Sequence, residues 1–587
     1  MSNRFRIYGL LRKLWASLHA RRQRQLRFLF ILMVVTSFAE MFGIGALVPF
    51  LGVILDPEAV YKSDVFEPIL RFMNINSPES LLLPVTIGFI CVVAIVAALR
   101  ILLLWISTRL SFSIGLDLSY DIYDMELRRP YSHQISQNSS EVINAIITQT
   151  NIITNNVVVP TVTILTNVLL VAGIVVALFL IEPYLTLATV LGFLCIYVAI
   201  AFFTQSQLKK NGITIAQESR AVVKHIQEGL GGIRDIIIDG SYKRFTHQYH
   251  LADKRLRFAY SDNHFLGQAP RFVVEGLSMV LIAGIAVIFS SRENMLGLIT
   301  SLGVVALGGQ KALPLVQRVY LGWANIRGGE QTLKDVLSRL DKKTRTSQSV
   351  QKISFNTRID FDKVDFSYEP GKAPVLRNIN LSIDLGSRIG LVGPTGSGKS
   401  TFTDLLMGLL QPTVGKIRID GTPITDENIS AWRKHVAHVP QEIYLADCSI
   451  RENIAFGVDP QDIDNERVTR AAKLANIDSL VDSWDDKYDT VVGERGARLS
   501  GGQRQRIGIA RALYREAQIL VLDEVTSALD SATEQEILQS LSQLDDGITL
   551  ILISHRNSNL VLCKTVFRFD GTGNIEITNR SDSEKLI

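Results

Sequence analysis

Cysteine is almost missing: four in 587 residues, Cys91, Cys195, Cys448 and Cys563, all far apart. Their spacing fits neither a disulfide framework nor paired metal ligands, so both are excluded and the thiols read as packing residues. Charge is scarce as well. Charged residues make up 20% of the chain and mean hydropathy is positive at +0.21, whereas a soluble protein would carry roughly 25%. Part of this chain is therefore expected to lie outside water. An excess of one sign is also lacking, with 61 basic against 57 acidic residues and a net charge of +4. That excludes the basic footprint of a nucleic-acid-binding protein. No small-residue cleavage site follows the first apolar run, which is too long and too basic at its flank for a removable leader.

What is present divides the chain in two. Before about residue 330 there are long apolar runs, and after about 350 charged turns alternate with short Val/Ile/Leu runs. A membrane crossing needs roughly 20 apolar residues, because a core about 30 Å thick is climbed at about 1.5 Å per residue. Six stretches meet this: Leu26 to Leu55, Leu82 to Ile106, Val157 to Ile181, Tyr184 to Phe203, Phe272 to Ser290 and Met295 to Tyr320. Arg4, Arg6, Arg12, Lys13, Arg21, Arg22 and Arg24 precede the first with no acidic residue, which places the N-terminus in the cytoplasm. The long loops near 107 to 156 and 204 to 271 carry further basic residues on the same side. They are expected to form helical hairpins projecting into the cytoplasm. Their turns, around Tyr131 to Ser139 and Gly240 to Phe245, are the expected contacts with a soluble domain.

Outside, Ser63 to Met73 carries Val65, Phe66, Ile69, Leu70 and Met73 at helical spacing. This predicts a short amphipathic helix lying on the membrane surface or covering the bundle. Inside the spans, charged residues are costly and call for a reason. Counted from the outer ends, Arg100, Arg271 and Lys311 lie roughly 22 to 29 Å deep, near the inner leaflet. Facing inward they would form an anion-binding ring; facing lipid they would snorkel to headgroups. Glu275 stands four residues after Arg271 and can pair with it, and Glu40 and Arg318 are further partners.

The polar stretch with KKTRTSQSVQK reads as a linker, giving a membrane region at 1–335, a linker at 336–358 and a globular domain at 359–587. In that domain an apolar strand, Ser387 to Val392, leads into Gly393, Pro394, Thr395, Gly396, Ser397, Gly398, Lys399, Ser400 and Thr401. This fits the phosphate-binding loop G-x-x-x-x-G-K-[ST], in which glycines let backbone N–H groups surround phosphate oxygens. Lys399 would reach the β- and γ-phosphates, and Ser400 would ligate Mg²⁺. A second apolar strand ends in Asp523, suited to a Mg²⁺ contact through water. Glu524 follows, a carboxylate able to orient or deprotonate an attacking water. Ser500, Gly501, Gly502 and Gln503 precede a helix; Tyr368 can stack on a base; Gln441 and His555 stand at strand ends where a γ-phosphate sensor belongs.

In this order the motifs resemble the ATP-binding cassette transporters, specifically exporters with the membrane region fused ahead of the nucleotide-binding domain. The resemblance covers essentially the whole chain. It implies a six-helix membrane domain with long cytoplasmic extensions joined to an α/β P-loop cassette, with ATP and Mg²⁺ as ligands. By resemblance Tyr368 is the A-loop aromatic, GPTGSGKST the Walker A loop, Gln441 the Q-loop, LSGGQ the signature, Glu524 the catalytic glutamate after Walker B, Ser527 to Asp530 the D-loop and His555 the switch histidine. Gly493 to Gly496 looks like the loop that meets the partner's inner turns. ATP in this family lies between one cassette's Walker A and another's signature, so one cassette per chain implies a homodimer.

A closer resemblance concerns cargo. SFAEMFGIGALVPFLGVILD, the outer segment after it, APRFVVEG around Arg271, and the Lys311 and Arg318 surroundings look like the flippases of bacterial polyprenyl-pyrophosphate oligosaccharides. That implies a bacterial plasma-membrane protein whose partners are lipid and a lipid-linked saccharide, with Arg100, Arg271 and Lys311 receiving the pyrophosphate. Lys311 stands where arginine is expected, keeping the charge but losing the bidentate fork. Exporters of lipid A, peptide or drug remain the alternative within the same fold.

Overall fold

The structure, a computed structural model, describes residues 4–46, 50, 52–54, 57–61, 77–181, 183–289, 295–340, 351–369, 371–525, 530–554, 556 and 559–579. The chain forms two compact units. One holds residues 1–129 and 137–344, the other 130–136 and 345–587.

The first unit is helical: α1 (Arg4–Ser17), α2 (Ala20–Gly45), α3 (Leu82–Leu127), α5 (Val159–Ile181), α6 (Pro183–Gly231), α7 (Tyr242–Phe289) and α8 (Met295–Leu340), with α4 (Tyr131–Ser136) belonging to the second unit. With 46 residues at about 1.5 Å each, α3 is roughly 70 Å long, more than twice the roughly 30 Å hydrocarbon core. The expected projections into water are therefore continuous helix. On α3, Leu103, Leu110, Ile114, Leu118 and Ile122 are buried, one stripe at heptad and i+4 spacing. Ile101, Leu104 and Trp105 on the other face are exposed. Large apolar groups on the outside and a packed stripe inside suit lipid rather than water.

Among the described residues, four helices are long and apolar enough to cross a membrane: Ala20–Gly45, Leu82–Leu127, Ser139–Leu180 and Thr186–Gly231. The fifth and sixth expected spans fall on α7 and α8, whose outer ends run into residues outside the described set. The first expected span, Leu26 to Leu55, is covered by α2 as far as Gly45 and by helical residues 50 and 52–54, with 47–49, 51 and 55 outside the described set. The expected outer helix, Ser63 to Met73, lies outside the described residues.

At both stretches expected as tips the long helices are interrupted. Gly240, at φ +64°, caps a short helix (Ile233–Asp239) before α7 starts; it stays within the first unit. The other, α4 after Pro130, groups with the second unit. Just before it the chain is pinned by buried charge. Glu126 accepts from Arg129 at 3.1 Å and from Arg339, near the end of α8, at 3.2 Å.

The second unit is built on the strands β1 (Arg358–Phe366), β2 (Leu376–Asp384), β3 (Arg388–Val392), β4 (Val414–Ile419), β5 (Thr422–Pro423), β6 (Val436–Val439), β7 (Ile519–Asp523), β8 (Thr549–Ile553), β9 (Thr565–Phe569) and β10 (Ile575–Asn579). They form a four-stranded antiparallel sheet, order β2-β1-β4-β5, and a six-stranded sheet, order β10-β9-β3-β8-β7-β6. In the larger sheet all neighbours are parallel except β10 on β9. Every residue of β8 is buried, as parallel strands covered on both faces require. Helix α9 (Lys399–Leu406) packs Phe402 against Phe361, Phe567 and Phe569 at ring separations of 4.9, 6.2 and 5.8 Å. The start of α9 is thus fixed against both sheets. A second core gathers around α10 (Gly501–Tyr514), with Ile507, Ile509 and Ala510 buried.

The structure describes both ends of the stretch expected as linker, 336–358. Helix α8 continues to Leu340, and Ile353 and Phe355 are already buried in the second unit's core. Polarity in the middle of the stretch hid the apolar residues at its rim.

Candidate nucleotide site and intramembrane charge cluster

Parallel pairing brings the carboxyl ends of β3, β6, β7 and β8 to one edge, with Leu391 beside Ile553, Ile553 beside Asp523, and Val439 beside Leu522. Ligands of open α/β sheets bind at that edge. Gly393 to Lys399 turns there from β3 into α9, with Gly393, Gly396 and Gly398 at φ +151°, +79° and +100°. At Gly393 a Cβ would also meet the Phe569 carbonyl at 2.7 Å, so only glycine closes this loop. Pro394, Thr395 and Gly396 form its rim, and Ser400 beyond it is exposed. The Lys399 ammonium donates to the carbonyls of Gly393 and Pro394 at 2.7 and 2.9 Å, which holds it across the loop mouth. Burial lowers its pKa, while the carboxylates of Glu524 and Asp523 pull it back up.

Glu524 is one of few non-glycine residues with positive φ, +48°. Its N–H donates to the Ile553 carbonyl at 3.1 Å, and Gln441 Nε2 donates to its Oε2 at 2.8 Å. A strained backbone held from two sides aims this carboxylate. Gln441 and Glu524, both expected at the site, are therefore joined directly. Tyr368 is more than half exposed, edge-on to Phe366 at 5.0 Å, and its hydroxyl meets Thr401 Oγ1 at 3.0 Å. The exposed part of the ring offers a surface for a base to stack on.

These residues fit a triphosphate. Ser397 is buried with an Oγ that has no hydrogen-bond partner among the described residues, a donor ready for a phosphate oxygen inside a nest of backbone N–H groups. Among the described residues no group of three or more His, Cys, Asp or Glu could hold a metal by itself. Mg²⁺ takes one or two carboxylates and fills its shell with phosphate and water, and Asp523 stands at the end of β7 on the same edge.

The Ser500, Gly501, Gly502 and Gln503 stretch starts α10. Ser500 Oγ accepts from the Gln503 N–H at 3.2 Å and Gln503 Oε1 accepts from the Ser500 N–H at 2.8 Å, a capping box. It starts the helix that carries the second core and is itself at the surface, with Ser500 exposed. His555 and residues 527–529 of the expected D-loop lie outside the described residues; Asp530 caps the next helix by accepting from the Thr533 N–H at 3.1 Å.

One residue escaped the sequence reading. Asp404, one turn of α9 after Ser400, is half-buried, and burial, then the nearby Asp523 charge, pushes its pKa up to about 6. Burial also raises the Tyr131 phenol, aided by the charges of Asp404 and Tyr368. The only sequence signal was helical spacing from Ser400. Because the folded pKa exceeds the ordinary carboxylate value, the folded state gains a proton below about pH 6 that the unfolded state gains only near pH 4. At neutral pH the charge costs stability. Asp404→Asn is therefore expected to raise the thermal midpoint at pH 7 by about 2–4 °C, roughly 1 kcal/mol after allowing for solvent screening. The gap to the parent should shrink as pH falls from 6 to 4; a gap that widens on acidification refutes this reading.

In the first unit the expected basic ring is only partly assembled. Arg100 Nε lies 3.7 Å and Lys311 Nζ 3.5 Å from the two oxygens of Glu40. Three helices, α2, α3 and α8, thus meet at one acid. Arg271 instead pairs with Glu275 at 2.8 Å along its own helix, with both side chains exposed. The structure brings two of the three bases together.

Comparison with known proteins agrees with this architecture. A family model for the ABC transporter matches residues 376–527 and one for the ABC transporter transmembrane region matches 26–302. The chain is 32% identical over 479 residues to an ATP-dependent lipid A-core flippase of Saccharophagus degradans, covering 79% of this chain and 78% of that one. It is 35% identical over 351 residues to the multidrug resistance protein pgp-1 of Caenorhabditis elegans, 57% of this chain and 26% of that one. In fold it is similar to a bacterial Atm1-family ABC exporter solved with ATP bound, with a TM-score of 0.78 and 22% identity over 97% of each chain. The chain belongs to the ABC transporters, as an exporter whose helical membrane region is fused ahead of an ATPase cassette.

Proposed function

We propose that this transporter is a flippase that moves a polyprenyl-pyrophosphate-linked oligosaccharide from the inner to the outer leaflet of a bacterial plasma membrane, as a homodimer with the cassettes in the cytoplasm. The observation that carries the cargo reading is the meeting of Arg100 and Lys311 at Glu40, two cations within one helical membrane unit. A diphosphate with an apolar tail needs cations at that level and an apolar surface beside them. The division into a membrane region at 1–335, a linker at 336–358 and a cassette at 359–587 belongs to the same proposal.

The power stroke follows from the cassette's chemistry. Each chain carries one phosphate loop and one Ser500–Gln503 stretch, and these start helices in different cores. Two copies facing head to tail would bring the loop of each to the other's stretch. Gly393 to Thr401 binds phosphate, Tyr368 stacks on the base, Glu524 takes the proton of the attacking water, and Gln441 orients Glu524. His555 senses the γ-phosphate. Ser400, Gln441 and Asp523 would hold Mg²⁺, which would supply positive charge to the phosphates. Because the γ-phosphate bridges the copies, its binding closes them and its loss releases them, a two-state element that drives the membrane helices.

A second reading, transport of a lipid A-type glycolipid, is favoured by the name of the Saccharophagus relative. Liposomes holding the purified transporter and a fluorescent polyprenyl-pyrophosphate saccharide distinguish the two. ATP-dependent loss of the probe from one leaflet, faster than for lipid A or a peptide, is expected. Faster movement of lipid A would reverse the assignment.

A further inference from the structure

Glu40 is out of reach of solvent, at 2% side-chain exposure, whereas Arg100 and Lys311 around it are 43% and 54% exposed. The acid stands behind, and the bases face the open side. The pairs are loose, at 3.7 and 3.5 Å, and Glu40 Oε2 has no hydrogen-bond partner among the described residues. Its neighbours on α2, Thr36 and Gly43, are buried too, so a carboxylate here is packed in rather than tolerated at a surface. A buried carboxylate held by two long ion pairs, with one oxygen lacking a hydrogen bond, is expensive, so a helix contact would be better served by an apolar residue.

We propose that Glu40 is an internal counter-ion that competes with an anionic lipid headgroup for Arg100 and Lys311, so that cargo binding is weakened and cargo release is driven. A diphosphate offers more charge and more acceptor oxygens than one carboxylate, and both bases turn outward to it. Glu40 is then left buried and uncompensated, which costs free energy. Relief comes when the bases return. The bound state therefore carries a built-in pull toward release, which a transporter needs and a simple receptor does not. Arg271 takes no part, since Glu275 holds it by a 2.8 Å hydrogen bond on its own helix. Glu40 is a positioning residue under this scheme, and the inference rests on the flippase reading above.

The test is Glu40→Gln in the full-length transporter in liposomes, with undecaprenyl pyrophosphate and lipid A as separate probes. Glutamine keeps the shape and removes the competing charge. For the preferred probe, KM should fall about tenfold and maximal turnover should fall with it, because release slows. Glu40→Asp should restore both values toward the parent. If Glu40 only packs the helices, Glu40→Gln will leave KM unchanged or raise it, and the counter-ion role is overturned. A variant that melts early is compared with Thr36→Val, a packing change on the same helix: loss of turnover at unchanged KM in both counts against the proposal. Failure of the flippase reading looks different, because the parent protein itself then binds and moves neither lipid.

Discussion

Glu524→Gln is expected to lower steady-state ATP hydrolysis by about 10²- to 10³-fold while nucleotide stays bound, the range typical of losing a general base. The side chain sits on a backbone at φ +48°, held by its N–H to the Ile553 carbonyl and by the Gln441 amide on Oε2. Glutamine has the same length and can still accept from Gln441, so the edge of the sheet keeps its shape. What disappears is the ability to accept a proton. With binding intact and cleavage blocked, the closed pair of cassettes should accumulate. Retention of unhydrolysed ATP through gel filtration, with two nucleotides per dimer, is the readout; hydrolysis at the parent rate would remove Glu524 from its role. Gln441→Ala should give a smaller loss, since it frees the carboxylate without deleting it.

The second large effect lies in the membrane. Replacing Arg100 and Lys311 together by alanine should cut lipid turnover by at least about 10²-fold, the scale of removing two charge-assisted contacts. Arg271→Ala should cost less than about fivefold, because its partner is Glu275 rather than the shared acid. The double change leaves Glu40 buried without either counter-charge, which destabilises by roughly 3–5 kcal/mol. Adding Glu40→Gln should restore the thermal midpoint without restoring turnover. Turnover that survives the double change would show that headgroups, not cargo, are what these side chains meet.

How much of this could be read from the sequence follows from the reach of each interaction. The phosphate loop was legible because its geometry is local: a strand end, three glycines at positive φ and a helix start follow one another without a break. Asp523 and Glu524 were legible for the same reason, each being a strand end and the residue after it. Their junction with Gln441 was not, since only parallel pairing of β6 with β7 brings them together. The apolar runs gave the long membrane helices, because a hydropathy count needs only neighbours in sequence. The basic ring illustrates the limit most clearly. Depth along each helix follows from counting, but rotation about the helix axis does not. Counting put Arg271 with the others and gave its i,i+4 partner Glu275; what it did not give is that Arg100 and Lys311, on different helices, share Glu40.

The segment Pro130–Ser136 has a practical consequence. It is covalently part of the membrane half, yet by its contacts it completes the other unit, with Tyr131 near Asp404 and Tyr368. A nucleotide-binding fragment cut out at Arg345 would be missing one of its own tiles. Such a fragment should be harder to keep in solution than its size suggests, and a synthetic peptide spanning 130–136 would be the natural plug for the notch.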